Sequence, residues 1–568
     1  MNKSNLNRQL KKAFVLTFLI IAFKGLSIAQ NQDVIIIDAY KPTISDAFKI
    51  NENPKIVDTT VKKLELNYQV NPILYKTSFN VDPIKPAKMV GEPLIKLYKS
   101  FVKVGFGTKV TPFAELYFNN LRSTNQSIGV YYKHLSSAGK IKDYGFSGYS
   151  DNNAGIYARR FYKNHTLSGE VDYKRDVVHY YGFKTTEFDS LANFNELVNK
   201  DSLRQRFSKI GATLKFKSTY EDSLRLNHSF ALSYYNLRDL YQAMEDYVNF
   251  SGAIDKKVTF FGKNLEYQNL GLNAKVDYYN DINPSDTSSG AVVKLQPHYS
   301  ANYEILKFDA GFNTFFETTT NSKIYFFPDI RFNINLYNNI FVLYAGITSD
   351  LKRSNLMDIS AENPFVKTSS TLKFTHTKYD FYGGFKGSLS SYLSFNAYVS
   401  KSNVTNMPLY VSDTSSILQN KFTLVYDKIK VFNTHTEITY QRSEKYKLLL
   451  ISNFYQYATT NELYAWLKPN MDVRLCINYN LRNKILLKTE VFAFSSSDAK
   501  TIVPGTVPEI KPIHQKGTVD FNLGLEYRYS KILSAFLNFN NIGAVRYQRW
   551  YHYPTYGFTV LGGVSYAF

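Results

Sequence analysis

The stretch TVDFNLGLEYRYSKILSAFLNFNNIGAVRYQRWYHYPTYGFTVLGGVSYAF, Thr518–Phe568, decides the fold. From Thr518, alternate positions are apolar: Val519, Phe521, Leu523, Leu525, Tyr527 and Tyr529. Asp520, Asn522, Gly524, Glu526 and Arg528 between them are polar or small. A strand points successive side chains to opposite faces, so this segment has one greasy face and one wet face. After Ser530-Lys531 the pattern resumes with Leu533, Ala535, Leu537 and Phe539. It returns again in Phe558, Val560, Val564, Tyr566 and Phe568. Apolar-out, polar-in segments of about 10 residues are the mark of a transmembrane β-barrel. A soluble β-sandwich alternates too, so one hairpin leaves both open.

The rest of the chain separates them. The alternation starts at Phe101 and does not stop. It predicts strands at Phe101–Val110, Phe113–Asn119, Ser127–His134, Asn153–Phe161, His165–Lys174, Arg206–Lys217, Leu226–Asn236, Ala243–Ile254 and Leu265–Tyr279. Further strands follow at Val292–Tyr303, Phe308–Glu317, Ile324–Leu336, Phe341–Asp350, Tyr379–Leu389 and Tyr392–Lys401. Val431–Gln441, Lys447–Tyr457, Asp472–Leu481 and Ile485–Phe494 come next, and the three terminal strands bring the count to 22. Connections alternate in length. Short ones include Tyr162–Asn164, Asn338–Asn339 and Arg482–Lys484. Long ones include Leu135–Asn152, Tyr180–Gln205, Leu351–Lys378, Asn403–Lys421 and Ser495–Gly517. Short periplasmic turns and longer outer loops are the barrel plan. A soluble sandwich has no reason to place every long loop at one end. Phe422–Tyr426 breaks the parity if counted as a strand, so it is assigned to a loop hairpin. The expected fold class is therefore all-β, a transmembrane antiparallel β-barrel of about 22 strands over residues 101–568.

The N-terminus differs. Basic residues Lys3, Arg8, Lys11 and Lys12 precede the apolar run AFVLTFLIIAF, Ala13–Phe23, which is too short to span a bilayer as a helix. Ser27-Ile28-Ala29 follows, so residues 1–29 read as a signal peptide cleaved after Ala29. Residues 30–100 carry six of the 17 prolines. Proline removes a donor and resists central strands, which makes this a mostly extended periplasmic or lumen-filling segment.

Mean hydropathy is −0.29, so helical membrane spans are not expected. Aromatic residues make up 16% of the chain, with 46 Tyr and 43 Phe against 2 Trp, which fits barrel girdles. The formal charge is +21, five of it in the signal peptide. The basic residues are scattered through an exported chain, which argues against nucleic acid. Solvated loops and rims facing lipopolysaccharide account for the excess; an anion-attracting lumen is the sharper reading. The single cysteine, Cys476, has no intramolecular partner to oxidise with. The nine histidines form no i, i+4 pair and no HExxH, so no catalytic, cofactor or metal site is expected and the protein is read as a non-enzyme. His435 and Glu437 share a strand face as a solvated lumen pair. The ionisable residues on lumen phases are the functional candidates: Lys103, Lys109, Glu170, Asp172, Lys174, Asp520, Glu526 and Arg528.

Asn540-Asn541-Ile542, Tyr547, Tyr553-Pro554 and the closing GGVSYAF together resemble the C-terminus of TonB-dependent receptors. The Tyr-, Lys- and Asn-rich composition resembles outer-membrane proteins of Bacteroidetes. NNLRSTNQS at Asn119 and KHLSSAGKIKDYGFSGYSDN at Lys133 look like a plug-poor branch there. The resemblance covers Phe101–Phe568. It implies the outer membrane, contact with its lipids and lipopolysaccharide, and insertion by the barrel-assembly machinery. Val564, Tyr566 and Phe568 match that machinery's C-terminal signal. The family carries a folded plug longer than residues 30–100. Asp33, Val34, Ile35, Ile36, Ile37 and Asp38 nevertheless resemble a TonB box, a strand offered to a partner sheet, although an ordinary strand or tether reads the same way. Two functions stay open: a transport or porin-like conduit for an unidentified solute, and a structural or accessory subunit of an outer-membrane complex.

Overall fold

The computed structural model describes residues 98–568, apart from 121–122, 191–192, 221–223, 261–264, 266, 319–321, 338–339 and 504–508. The signal peptide, Asp33–Asp38, nearly all of the 30–100 segment and the turn at 338–339 lie outside the described residues.

Numbering barrel strands only, the first eleven are β1 Ser100–Gly107, β2 Thr111–Asn119, β3 Gln126–Ser137, β4 Tyr149–Phe161, β5 His165–His179, β6 Arg204–Ser218, β7 Asn227–Arg238, β8 Met244–Lys257, β9 Gln268–Asn283, β10 Asp286–Tyr303 and β11 Leu306–Thr318. The second half is β12 Lys323–Tyr337, β13 Phe341–Arg353, β14 Phe374–Ser388, β15 Leu393–Ser412, β16 Phe422–Arg442, β17 Tyr446–Ala458, β18 Met471–Leu481, β19 Ile485–Phe494, β20 Thr518–Arg528, β21 Leu533–Asn540 and β22 Thr559–Ala567. Each pairs antiparallel with its neighbours in the chain, and β1 pairs with β22 in register from Phe101↔Ala567 to Gly107↔Leu561. Phe568 and Ser100 exchange two backbone hydrogen bonds of 2.9 and 3.0 Å at the seam. Closure leaves no free edge, which is what lets a sheet stand in hydrocarbon.

The dyad pattern sets the faces. Val519 is 65% exposed on the outside while Asp520, one residue on, is 1% exposed inside. Val564, Tyr566 and Phe568 are exposed on the outer phase, as are Ile156, Val171, Tyr173, Ile210, Leu214, Phe381 and Phe385 around the ring.

Turns such as 162–164, 443–445 and 482–484 sit at one end; the longest there are 219–226 and 258–267. Loops 180–203, 354–373, 413–421, 459–470, 495–517 and 541–558 sit at the other. Arg482 and Asn483 both have positive φ (52° and 55°), the two-residue turn whose twist matches a hairpin.

One expectation changes. Phe422–Tyr426 is not a separate loop hairpin but the start of β16, paired with the end of β15 from Met407↔Asp427 to Ser412↔Phe422. A register shift between Val404 and Met407, with Asn406 at φ 55°, lets the pair bend and continue. β15 and β16 run 20 and 21 residues, about twice a membrane crossing, so their far ends stand clear of the bilayer. The FTLVY alternation looked like a parity break because it lengthens an existing strand.

Candidate functional site

The inner wall carries the charged candidates in separate local pairs. Asp172 on β5 meets Lys209 on β6 at 2.7 Å, and Lys174 meets Asp176 at 2.6 Å. Glu170 accepts the Tyr131 hydroxyl at 3.2 Å. Glu526 and Arg528 pair at 3.4 Å, and Asp520 accepts the backbone N–H of Gly543 at 3.1 Å. The Lys103 ammonium lies 4.2 Å from the centre of the Phe536 ring. Lys109 sits apart from these. β1 ends at Gly107, and Lys109 occupies the β1–β2 turn at φ 64°, its carbonyl accepting the Ser137 hydroxyl at 2.9 Å. His435 bonds Asn453 at 2.7 Å, with Glu437 at 4.0 Å. Partly wet ion pairs contribute about 0–1 kcal/mol each, so these groups line a polar lumen more than they hold the barrel. They do not converge. Among the described residues no group of three or more His, Cys, Asp or Glu is placed to hold a metal ion.

The long-loop end does converge. Tyr553, in loop 541–558, is 3% exposed. Its ring stacks on Phe365 of loop 354–373 at 3.7 Å and meets Tyr181 of loop 180–203 edge-on at 4.9 Å. Its hydroxyl donates to the Asn420 carbonyl in loop 413–421, and Asn420 Nδ2 donates to the Tyr180 carbonyl at 2.6 Å. Trp550 packs edge-on against Tyr410 at 5.1 Å. Leu203, Ile359, Val366, Leu418 and Leu467 complete this apolar core. Loop 180–203 follows β5 and loop 413–421 follows β15, ten strands away on a ring of 22. Contacts between nearly opposite loops must cross the mouth. The barrel is therefore roofed at this end.

Polar groups lock the roof. A short helix, α1 Leu356–Glu362, is capped by Asn355, whose side chain accepts the Asp358 N–H at 2.6 Å. The buried Glu245 carboxylate of β8 accepts the Leu356 and Met357 N–H groups at 2.5 and 3.3 Å, satisfying donors a helix start leaves open. Asp239 accepts from Gln205 at 3.1 Å and from Thr368 at 2.6 Å, tying loop 354–373 to the β7–β8 turn. Glu362 accepts from Lys468 at 2.6 Å and from the Tyr410 hydroxyl at 3.1 Å. Burial works against its charge, but these donors hold its carboxyl below the ordinary range. Burial pushes the Lys421 ammonium down, against the pull of Asp413.

None of the roof residues stands out by reading alternation, because loops have no period to violate. A signal was present: YYGF at Tyr180, NPF at Asn363 and WYHYP at Trp550 put aromatic residues where connections are usually polar.

No protein-family model and no curated protein matches the chain. Solved structures do. A mutant of the ferric enterobactin receptor of Pseudomonas aeruginosa superposes with a TM-score of 0.59 at 13% identity, over 83% of this chain and 80% of its own. A siderophore receptor of Acinetobacter baumannii gives 0.61 at 9% identity, over 84% and 81%. The pyoverdine outer membrane receptor of P. aeruginosa, bound to pyoverdine, gives 0.60 at 12% identity, over 84% and 79%. The chain has the fold of an outer-membrane receptor barrel. Identities this low carry the fold and leave the ligand open.

Proposed function

We propose that this chain is an outer-membrane transport conduit of the TonB-dependent receptor type, taking an unidentified solute at its long-loop end. The observation behind the reading is the closed 22-strand ring with a charged and polar inner wall, in the fold of three receptors. A barrel of this size needs its lumen filled. Residues 30–100 are proposed to do so as a reduced plug, with Asp33–Asp38 offering a strand to TonB. Val564, Tyr566 and Phe568 are proposed as the signal read by the barrel-assembly machinery. The outward aromatic residues would meet lipid and lipopolysaccharide.

The packed apolar roof favours a second reading, a structural or accessory subunit whose barrel never opens. Planar-bilayer conductance separates the two. We expect the full chain, and a deletion of 30–100 alone, to stay closed. The deletion combined with Tyr553→Ala, which loosens the roof, is expected to give large, stable openings. A combined variant that folds, migrates as a heat-modifiable barrel and still conducts nothing would favour the accessory subunit.

A further inference from the structure

We propose that the inner wall beneath the rim of β10–β15 is a binding site for a soluble, multiply charged anion with a planar ring. This deepens the conduit reading and rests on it only for the direction from which the ligand arrives.

A crevice of about 520 Å³ lies there, within the range of small-molecule sites. Six adjacent strands contribute to it, from Ser288 on β10 to Asn406 on β15, together with Lys373 from loop 354–373. Its lining is cationic: Lys323, Arg353, Lys373 and Lys378 face one carboxylate, Glu317. Arg353 is matched by Asp281 at 2.6 Å. Among the described residues, Lys323, Lys373 and Lys378 have no carboxylate within ion-pair distance. Glu317 stands opposite Lys323 in register, yet it accepts the Tyr325 hydroxyl at 3.3 Å.

A second observation is independent of charge. Arg353 and His376 are 3% and 6% exposed, and both line the crevice. Arg353 Nε and His376 Nε2 are buried with no hydrogen-bond partner. A buried donor without a partner is costly, and an anionic oxygen would satisfy the Arg353 Nε–H, and the His376 ring in the tautomer that carries its proton on Nε2. Tyr325 and Phe374 supply flat apolar surface beside them, with the His376 ring 4.7 Å from Tyr325. Charge recognition and ring stacking are therefore offered in one place. Tyr325, Glu317 and Lys323 lie on the inward phase, opposite to the exposed Ile324 and Phe326. That position favours a free solute over the phosphates of lipopolysaccharide, which stand outside the wall.

The test is equilibrium binding to the full-length protein in detergent, read by fluorescence anisotropy with pyrenetetrasulfonate, a planar polyanion. The expected result is saturable binding that weakens with salt. The double variant Lys323→Glu/Lys378→Glu should weaken it by about a hundredfold, roughly tenfold for each lysine. Both side chains are exposed, so folding should be spared, with heat-modifiability as the check. Lys531→Glu, at the short-turn end, should bind as wild type. Equal binding by the double variant would overturn the proposal. So would displacement of the probe by lipopolysaccharide at matched phosphate, which would assign the site to the lipid. Because the assay needs no transport, a barrel that binds the probe but never conducts would sink the conduit and leave this site standing.

Discussion

Tyr553→Ala is expected to unlatch the roof. The residue joins four loops at once: its ring lies on Phe365 and against Tyr181, its hydroxyl reaches the Asn420 carbonyl, and Asn420 in turn holds Tyr180. Removing a fully packed aromatic side chain costs about 3–5 kcal/mol when the site cannot collapse. Here the alanine would also leave the Asn420 carbonyl without that donor in a buried setting. The barrel strands are held by their own ladders and should not feel the change. The loss therefore falls on the loops. Amide exchange in 180–203 and 354–373 should accelerate by about a hundredfold or more, while β-strand amides keep their protection. Tyr553→Phe, which keeps the ring and loses the hydroxyl, should show a small fraction of the effect. Unchanged loop exchange in Tyr553→Ala would mean that the roof is held by something other than this core.

Gly563→Val is expected to prevent the barrel from closing. Gly563 on β22 stands directly opposite Gly105 on β1 across the seam, both on the inward phase. The Phe536 ring of β21 lies over them. A Cβ on Gly563 would come within 2.7 Å of that ring, and one on Gly105 within 2.7 Å of the Gly562 carbonyl and 2.9 Å of Phe536. Phe536 is itself 4% exposed, with the Lys103 ammonium on its face, so it has nowhere to retreat. An aromatic ring laid across facing glycines is a known way to fill a gap in a sheet while keeping two strands close. The added Cβ and its two methyl groups at the seam would push β1 and β22 apart where the ring must be completed. The variant should fail to give the heat-modifiable band of a folded barrel and should be degraded. Gly169→Val is the control: the position lies on a strand too, but its nearest outside atoms stand at 3.8 Å, and it should fold. Normal assembly of Gly563→Val would show that the seam tolerates a wider spacing than this packing allows.

Most of the barrel was legible because its physics is periodic. The alternation in Thr518–Tyr529 decides which side chains meet lipid, and the same rule carries from Phe101 to Phe568. All 22 strands fall where alternation places them, most with ends displaced by a few residues, but β15 runs on to Ser412 past the expected Lys401 and β16 starts at Phe422 ahead of the expected Val431. The displaced ends have a common cause. At the long-loop end the strands continue past the membrane, as Ser137, His179 and Phe422–Tyr426 do, where both faces become polar or packed and the period fades. Lys109 illustrates the local limit: it keeps strand phase in sequence, but a turn at positive φ takes it off the wall. Glu170, Asp172 and Lys174 could be given a side by parity. Asp176, two residues on from Lys174, follows from the same parity; the partners Tyr131 and Lys209 lie on other strands and depend on register, which parity does not supply. The roof and the cationic crevice were illegible for a deeper reason. They are built from contacts between loops up to ten strands apart, and from one face of six strands read together; the aromatic residues in YYGF, NPF and WYHYP mark parts of the roof but not which loops meet.

Whether loops from distant sides of the ring meet over the mouth is tested most directly by cross-linking Lys421→Cys to Tyr241→Cys in a Cys476→Ser background. Lys421 precedes β16, and Tyr241 lies between β7 and β8, eight strands away on the ring. The Lys421 ammonium stands 4.6 Å from the Tyr241 ring centre, and both side chains are partly exposed. A short bis-maleimide applied to isolated outer membranes should join the two cysteines in most molecules, giving one linked peptide pair by mass spectrometry. If the pair stays unlinked while cysteines placed in neighbouring loops link readily, the loops stand apart, the mouth is open, and the roof does not exist.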